Sequence, residues 1–435
     1  MKNNKQPEIN LNLNVRGIPQ SATLEINERS NELIKSGRKV YKLGLGQSPF
    51  PVPKPVVDEL KKNAFQKDYL AVKGLYELRT AVADYHYRKH GVCATAENVL
   101  IGPGSKELMF LLQFVFYGDL LIPIPSWVSY APQAQIIGRH VRWLRTKPKN
   151  NYKLTAKEII EHCESDPNKP RIVILNYPAN PTGLTYKDSE LREIAKTAKK
   201  FKLILLSDEI YGELHHQGKH TSIAKYYQEG TIISSGLSKW CGAGGWRLGT
   251  FTFPQSLSWL LDAMAAVASE TFTATSAPIQ YAAVRAFQGG EEIEDYLWKC
   301  RWILEKLGNS CSDILNSFGI YTPVPDGAFY LFSDFKKFKD KFYKNNIETD
   351  KQMCKKLLED TGVAILPGSA FGCREEDFTA RLAYVNFDGV KTLSVASRLN
   401  NKDKIDELFI KKYCYKTIEA INLISNWAKN ILEQK

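Results

Sequence analysis

One lysine in the chain stands in a setting that a surface lysine does not need. Lys239 ends the stretch Ser-Ser-Gly-Leu-Ser-Lys at residues 234–239, among small residues, and Arg247 follows eight positions later. A lysine amine can form a Schiff base with an aldehyde, and an arginine can hold a phosphate through two parallel hydrogen bonds. The pair therefore indicates a site for a flat, phosphorylated ligand.

Further polar side chains follow predicted strands in the middle of the chain. Continuous apolar runs, typical of strands buried on both faces, occur at residues 171–175, 203–206 and 231–234. An amphipathic segment at 188–201 predicts a helix between the first two, so the strands should form a parallel sheet. Ligands of such sheets bind beyond the carboxyl ends of the strands. The side chains expected to face that one crevice are those of Asn180, Asp208, Tyr211 and Lys239.

These side-chain types suit the chemistry of pyridoxal phosphate. A buried aspartate that faces the pyridine nitrogen keeps that nitrogen protonated, which makes the ring an electron sink. Tyrosine and asparagine can hydrogen-bond the ring hydroxyl. A glycine turn, Gly-Pro-Gly-Ser-Lys-Glu at 102–107, follows a predicted strand at 99–101 and precedes an apolar helix. Free backbone N–H groups at such a helix N-terminus are a second site for an anion.

The C-terminal part of the chain predicts a smaller α+β domain. Strands are predicted at 327–332, 363–366 and 381–385, and helices at 345–360 and from residue 403 to the end. Segment 41–46 predicts one more strand, which joins the N-terminal residues to this part. We therefore expect an α/β protein with a large domain, residues 51–315, whose mostly parallel sheet is wrapped by helices. Residues 1–50 and 316–435 form the expected small domain.

Composition and charge argue against several other classes of protein. The net charge of +12 is dispersed along 435 residues, so no nucleic-acid groove is predicted. The eight cysteines form no CxxC pair, which argues against a metal site and a disulfide framework and favours a reducing cytoplasm. The most apolar region, 108–125, is interrupted by polar residues and prolines, and the N-terminus lacks a signal peptide. We expect a cytoplasmic protein with no metal, nucleic-acid or membrane partner.

Four motifs together resemble the fold-type I, class I/II aminotransferases, the aspartate- and aromatic-aminotransferase-like enzymes that use pyridoxal 5'-phosphate. The motifs are Asn-Tyr-Pro-Ala-Asn-Pro-Thr-Gly at 176–183, Ser-Asp-Glu-Ile-Tyr at 207–211, Ser-Gly-Leu-Ser-Lys at 235–239 with Arg247, and Pro-Gly-Ser-Ala-Phe-Gly at 367–372 followed by Arg381. The resemblance runs from about residue 21 to beyond Arg381.

The resemblance implies a role in cofactor binding for each matching residue. Lys239 binds the cofactor aldehyde and is the base that moves the substrate proton. Asp208 pairs with the pyridine nitrogen, while Tyr211 and Asn180 hydrogen-bond the ring hydroxyl. Trp127 stacks on the cofactor ring. The residues implied for the phosphate are Ser105, Lys106 through its backbone, Ser238 and Arg247.

The resemblance also implies contacts to the substrate and to a second subunit. Arg381 binds the substrate α-carboxylate, assisted by Asn180 and by the backbone of Gly46 on the N-terminal arm. Tyr69 reaches the phosphate of the neighbouring subunit, which implies a homodimer with shared active sites. Closure of the small domain over the substrate would exclude water.

Two features depart from the family pattern. Gly236 stands where many relatives carry a serine, so one hydroxyl contact to the phosphate is expected to be missing. The chain beyond Arg381 is also longer than the usual closing helix, and the sequence does not indicate the role of this extension.

The expected function is transfer of an amino group between an L-amino acid and a 2-oxo acid. Lys106 matches a position where one branch of the family uses lysine for a distal carboxylate, which favours aspartate or glutamate. An aromatic or kynurenine-type substrate stays open, because Phe50, Trp127 and Tyr130 are candidates to line an apolar pocket. The alternative class is a pyridoxal-phosphate-dependent lyase or synthase on the same fold. A regulatory module is disfavoured, since no helix-turn-helix pattern precedes residue 50.

Overall fold

The computed structural model describes residues 10–18, 22–399 and 401–431. Parts of three sequence expectations lie outside these residues. They are the beginning of the N-terminal arm, the start of the family resemblance near residue 21, and the last four residues of the C-terminal helical segment.

The strands of the described residues fall into one large and two small sheets. In chain order they are β1 (Tyr41–Lys42), β2 (Val99–Gly102), β3 (Asp119–Ile124), β4 (Val141–Arg145), β5 (Arg171–Asn176), β6 (Ile204–Asp208), β7 (Thr231–Gly236), β8 (Gly249–Thr252), β9 (Tyr330–Asp334), β10 (Val363–Ala364), β11 (Leu366–Pro367) and β12 (Thr379–Ala383).

The helices surround these sheets and fill most of the remaining chain. In chain order they are α1 (Ala22–Lys35), α2 (Lys54–Lys62), α3 (Tyr76–His90), α4 (Ser105–Val115), α5 (Tyr130–Ile136), α6 (Ala156–Cys163), α7 (Asp188–Lys200), α8 (Ser258–Ser269), α9 (Ala277–Gln288), α10 (Glu291–Ser317), α11 (Lys339–Lys344), α12 (Asp350–Thr361), α13 (Gly389–Ala396), α14 (Glu407–Tyr413) and α15 (Tyr415–Asn430). No helix among the described residues combines the length and apolar character that crossing a bilayer requires.

The large sheet has the order β2-β8-β7-β6-β5-β3-β4. Strands β7, β6, β5, β3 and β4 pair in parallel, and β8 runs antiparallel to both β7 and β2. The expected α/β fold with a mostly parallel, helix-covered sheet is therefore confirmed. Its central strands are almost wholly buried, as their continuous apolar sequences require.

One connection in this sheet differs from the expectation of helical crossovers. Helix α7 connects β5 to β6, beginning at Asp188 as predicted. Between β6 and β7 every residue is described, and the chain there forms only three single-turn 3₁₀ segments instead of an α-helix. The segment contains His-His-Gln-Gly at 215–218 and lacks a helical apolar stripe. This irregular connection brings His220 back to Glu209, the residue after β6, with Nε2 2.9 Å from Oε2.

The C-terminal region forms two small sheets. Strands β11, β12 and β9 form an antiparallel sheet, and β1 pairs in parallel with β10, Tyr41 opposite Val363. The N-terminal segment thus joins the C-terminal part, as expected, although its strand pairing involves only Tyr41 and Lys42. The predicted strand at 363–366 is split at Ile365, the predicted helix at 345–360 begins only at Asp350, and the terminal helical segment is divided at Cys414.

Helix α10 is the longest helix of the described chain, with 27 residues. It continues to Ser317, two residues past the predicted end of the large domain at residue 315. Its buried apolar residues belong to one core that also includes Ile210, two residues after β6, and Ile421 from α15. The division into domains at 51–315 stays a prediction.

A buried ion pair connects α10 to the turn that follows Tyr211. Arg301 Nη2 lies 2.6 Å from Glu213 Oε2, and Arg301 Nε donates to the Glu213 carbonyl at 2.7 Å. Both side chains are less than a tenth exposed. This pair holds the segment after β6 against the long helix.

We expect Arg301→Ala to lower the free energy of unfolding by about 3 kcal/mol, because the buried Glu213 carboxylate loses the cation on Oε2 and keeps only Lys89 Nζ, 3.3 Å from Oε1. Arg285→Ala is the matched control, since Arg285 forms a partly exposed pair with Glu292, and its loss should stay below about 1 kcal/mol. Urea denaturation measures both. Equal losses for the two variants would contradict this role of the buried pair.

Candidate active site

The ends of three neighbouring strands form the centre of the candidate site. In the sheet register Asn176 of β5 lies beside Asp208 of β6, and Asp208 lies beside Ser234 of β7. The predicted convergence of strand ends therefore occurs, although the residue in register on β7 is a serine five positions before Lys239. Asp208 itself is 3% exposed.

The Asp208 carboxylate is buried and hydrogen-bonded but has no cation beside it. Tyr130 Oη donates to Oδ2 at 2.5 Å, and Ser234 Oγ lies 3.4 Å from Oδ1. Burial raises the pKa of Asp208 to about 6, although these hydrogen bonds act in the opposite direction. In the described part of the chain Asp208 forms no ion pair. A buried carboxylate of this kind fits a ligand that brings its own positive charge.

Lys239 lies in the turn after β7 and contacts the N-terminal arm. Its Nζ donates to the carbonyl oxygen of Gly46 at 2.8 Å. The same nitrogen lies 5.6 Å from the ring centre of Tyr211 and 5.9 Å from that of Phe329. The structure thus brings Lys239, Gly46 and Tyr211 together, three residues that are separated widely in sequence.

Arg381, on β12, carries a buried positive charge at the same place. It is 2% exposed, its Nη2 donates to the Gly44 carbonyl, and its Nη1 donates to Asn180 Oδ1 at 3.2 Å. Its buried Nε has no hydrogen-bond partner. Burial lowers the pKa of this guanidinium from its ordinary value. None of the described acidic residues pairs with it, so its environment fits an anionic ligand.

Tyr330, on β9, connects these groups, and the sequence analysis missed it. Its hydroxyl lies 2.7 Å from that of Tyr211, and its ring centre lies 4.8 Å from Arg381 Cζ. Burial raises the pKa of Tyr211 well above its ordinary value, and Tyr330 adds to this effect. One sequence signal was present, because a tyrosine inside an apolar strand needs a partner for its hydroxyl.

The opposite end of the site is built around the N-terminus of α4, which begins at Ser105. Gly104 precedes it with φ +93°, and a Cβ atom there would lie 2.2 Å from Arg247 Nη2. The absence of a side chain therefore lets the guanidinium lie against the helix N-terminus. Arg247 Nη1 donates to the Gly244 carbonyl at 3.0 Å, and the residue is exposed. Backbone N–H groups beside an arginine fit a phosphate.

Trp127 lies between the N-terminus of α4, whose groups fit a phosphate, and the carboxylate of Asp208. Lys106 Nζ lies 5.5 Å from its ring centre, and the Trp127 ring lies 5.3 Å from the ring of Tyr130, which contacts Asp208. Partial loss of water lowers the pKa of Lys106, and the nearby charge of Arg247 lowers it further. The two ends thus flank one aromatic side chain, as stacking on a flat ligand requires.

The structure also places the other residues that the sequence predicted for the site. Ser238 is half-buried beside Lys239. Tyr69 is 91% exposed and joins none of these contacts within the single chain. Two aromatic residues proposed for an apolar pocket have other contacts: Phe50 is buried against Phe387, with ring centres 5.9 Å apart, and Tyr130 donates to Asp208.

The structure explains why a glycine stands at position 236, which the sequence did not reveal. Its φ is +155°, and a Cβ atom there would lie 2.7 Å from the Leu248 carbonyl oxygen. The backbones of β7 and β8 approach closely at this point, where Gly236 faces Gly249. No side chain fits without moving the strand end that leads to Lys239.

The fold and the residues of the site fit an enzyme that transfers amino groups, and the family match shows this class. The sequence profile described as aminotransferase class I and II matches residues 38–391. The chain belongs to this family, so the suspected resemblance is confirmed, and its architecture is fold type I of the pyridoxal-phosphate-dependent enzymes.

Known relatives agree with this assignment. The chain is 31% identical to an asparagine–oxo-acid transaminase of Streptococcus mutans, over 86% of this chain and 94% of that protein. It is also 31% identical to an aspartate aminotransferase of Geobacillus stearothermophilus, over 87% and 95% of the two chains. An aspartate aminotransferase structure from Thermus thermophilus with maleate matches 96% of this chain and 100% of its own, with a TM-score of 0.81 and 24% identity. At that identity the likeness shows the fold.

We expect Gly236→Ser to reduce the free energy of unfolding by about 1–3 kcal/mol, because its Cβ would press against the Leu248 carbonyl. Gly245→Ser is the control, since a Cβ at Gly245 meets no atom within 4 Å, and its effect should stay within about 0.5 kcal/mol. Thermal unfolding of both variants measures the difference. A Gly236→Ser protein as stable as the wild type would show that the strands separate freely here.

Proposed function

We propose that the chain is a pyridoxal-phosphate-dependent aminotransferase that exchanges the amino group of an acidic L-amino acid, aspartate or glutamate, with a 2-oxo acid. The relatives named for aspartate support this substrate class at about 30% identity. The charges and hydrogen-bonding groups of the site support the cofactor.

Arg381 is the observation that carries the proposal. It is a buried cation with an unpartnered Nε and hydrogen bonds only to neutral oxygens of Gly44 and Asn180. Charges in such surroundings are normally paired. Amino acids and 2-oxo acids both carry an α-carboxylate, and a guanidinium can bind it through two parallel hydrogen bonds. One arginine can therefore serve both substrates of a transamination.

Different residues would hold the phosphate, the ring face and the ring nitrogen of pyridoxal phosphate. The N-terminus of α4 at Ser105 and the guanidinium of Arg247 suit its phosphate, with Ser238 as a further hydroxyl. Trp127 suits its ring face. The Asp208 carboxylate suits its ring nitrogen, because a protonated nitrogen supplies the positive charge that this buried group lacks. When bound, the cofactor supplies an electron sink for the bond that is broken at the substrate Cα.

The residues of the chain then orient the substrate and move its proton. Arg381 and Asn180 hold the α-carboxylate, and this fixes the direction of the Cα–H bond relative to Lys239. The Lys239 amine takes the proton from Cα as a general base. Tyr211, whose hydroxyl contacts Tyr330, is positioned to hydrogen-bond the ring hydroxyl of the cofactor.

Lys106 is our candidate for the distal carboxylate of aspartate or glutamate. It lies at the second position of α4, with its amine near Trp127 and Arg247. Positive charges at a helix N-terminus favour an anionic group there. The aromatic alternative has less support, because Tyr130 and Phe50 have other contacts.

We further propose a homodimer with shared active sites and a cytoplasmic location. The exposed ring of Tyr69 supports the homodimer, since a side chain that is 91% exposed in the single chain is available to a second subunit. The eight cysteines all lie in described segments and are free thiols, which agrees with a reducing compartment.

The first test is the half-reaction of the holoenzyme with L-aspartate in the absence of any 2-oxo acid. We expect the visible absorbance of the bound cofactor to be lost in proportion to the enzyme present, with release of oxaloacetate. A Lys239→Ala variant should show no turnover, because the general base is gone. Release of ammonia instead would support the lyase alternative, and continued transamination by Lys239→Ala would exclude the assigned role.

Two substitutions separate the proposed carboxylate contacts. Arg381→Gln should lower kcat/KM about 100-fold or more for every amino acid, because the common α-carboxylate loses its cation. Lys106→Gln should lower kcat/KM about tenfold or more for L-aspartate but little for L-alanine, which has no distal carboxylate.

The control for Lys106 is Lys196→Gln, an exposed lysine on α7. It should leave both substrates unaffected. If Lys106→Gln slows aspartate and alanine equally, the lysine acts on the cofactor instead, and the acidic-substrate proposal loses this support while the aminotransferase function remains.

A further inference from the structure

A second cluster of polar side chains includes the residue that follows Asp208 and takes no part in the proposed reaction. It consists of His90 at the end of α3, Glu209 immediately after Asp208, and His220 in the irregular connection between β6 and β7. Each residue offers one ligand atom, and these atoms all lie within 4.8 Å of one another. The cluster joins three separate segments of the chain.

Glu209 is fixed in place by hydroxyl groups. Its Oε1 accepts hydrogen bonds from Ser207 Oγ at 2.7 Å and from Ser222 Oγ at 2.6 Å. Its Oε2 lies 2.9 Å from His220 Nε2, and both side chains are no more than 5% exposed. One oxygen is therefore held by the protein, and the other faces the imidazoles.

Several imidazole nitrogens in this region are buried without a partner. Nδ1 of His90, Nδ1 of His220 and both ring nitrogens of His86 make no hydrogen bond to any described residue. His86 and His90 stand four residues apart on the same face of α3, with ring centres 6.1 Å apart. Buried polar atoms are nearly always satisfied, so this concentration of unsatisfied nitrogens indicates a missing ligand.

We infer that His90, Glu209 and His220 bind a divalent transition cation of the Zn²⁺ type. Two imidazoles and a carboxylate are a zinc donor set, while Ca²⁺ and Mg²⁺ prefer oxygen ligands throughout. Three protein ligands leave one tetrahedral position for water. In tetrahedral geometry, zinc bonds of about 2.0–2.2 Å place neighbouring ligand atoms about 3.3–3.6 Å apart. The 2.9 Å contact between Glu209 and His220 must therefore open slightly, and the other separations, all within 4.8 Å, must adjust to the same range.

A bound ion would connect three separate parts of the chain. Through His90 it would hold the end of α3, and through Glu209 it would hold the segment that carries Asp208 and Tyr211. Through His220 it would also hold the irregular connection between β6 and β7.

The sequence expectation was that the chain has no metal site, and it rested on the cysteines. The three proposed ligands are distant in sequence, at positions 90, 209 and 220, so no spacing motif joins them. The one local sign is His-Tyr-Arg-Lys-His at 86–90, whose spacing places two imidazoles on one helix face.

The test is calorimetric titration of ZnCl₂ into the full-length holoenzyme after chelator treatment and removal of free cofactor. We expect one high-affinity Zn²⁺ per chain in the wild type. His90→Ala should weaken this binding at least about tenfold, and Glu209→Gln, which keeps the side-chain shape, should do the same. His162→Ala, a half-buried histidine on α6 outside the cluster, should bind as the wild type does.

Thermal unfolding provides the second readout. Zn²⁺ should raise the Tm of the wild type and of His162→Ala, because it binds the folded chain, and should raise it little for the two cluster variants. Absence of stoichiometric binding in the wild type would overturn the proposal. Undiminished binding in both His90→Ala and Glu209→Gln would also overturn it, since the ion would then be held elsewhere, for example by thiols. If His90→Ala fails to fold, Glu209→Gln decides.

Discussion

Two buried charges without counter-charges are the constraint on which the rest of the site depends. Asp208 stands at the end of β6 and Arg381 on β12, and neither forms an ion pair with a described residue. Isolated buried charges are unfavourable, so the surrounding structure must hold them by other means. Tyr130 and Ser234 donate to the carboxylate, while Gly44 and Asn180 accept from the guanidinium. The stability given up here is recovered only when ligands of opposite charge bind.

Much of this arrangement was predictable from the sequence, for an identifiable reason. Asp208 and Lys239 each follow a short apolar run, and parallel strands bring such positions to one edge. Their placement depends on local patterns plus one topological rule. The anion site at the N-terminus of α4 was equally predictable, because a glycine turn before a helix has the same geometry wherever it occurs.

The features that were missed depend on contacts between distant segments. Tyr330 meets Tyr211 across 119 residues, and nothing near either residue announces the other. The close approach of two backbones at Gly236 depends on how β7 and β8 lie side by side. The helix missing between β6 and β7 and the cluster around Glu209 are of the same kind, since only the folded chain brings His90 and His220 together.

The arm at residues 44–46 has a consequence for affinity. Its carbonyl oxygens at Gly44 and Gly46 accept hydrogen bonds from Arg381 and Lys239, the two side chains proposed to bind the substrate and the cofactor. The arm therefore competes with ligands for these two side chains. Because it belongs to the same chain, its effective concentration is high. The measured dissociation constants of such ligands will exceed those for a chain without the arm contacts, by a factor set by the strength of these contacts. Substitutions that strengthen or weaken the contacts of the arm, including the pairing of β1 with β10, will then change the measured affinity for substrate.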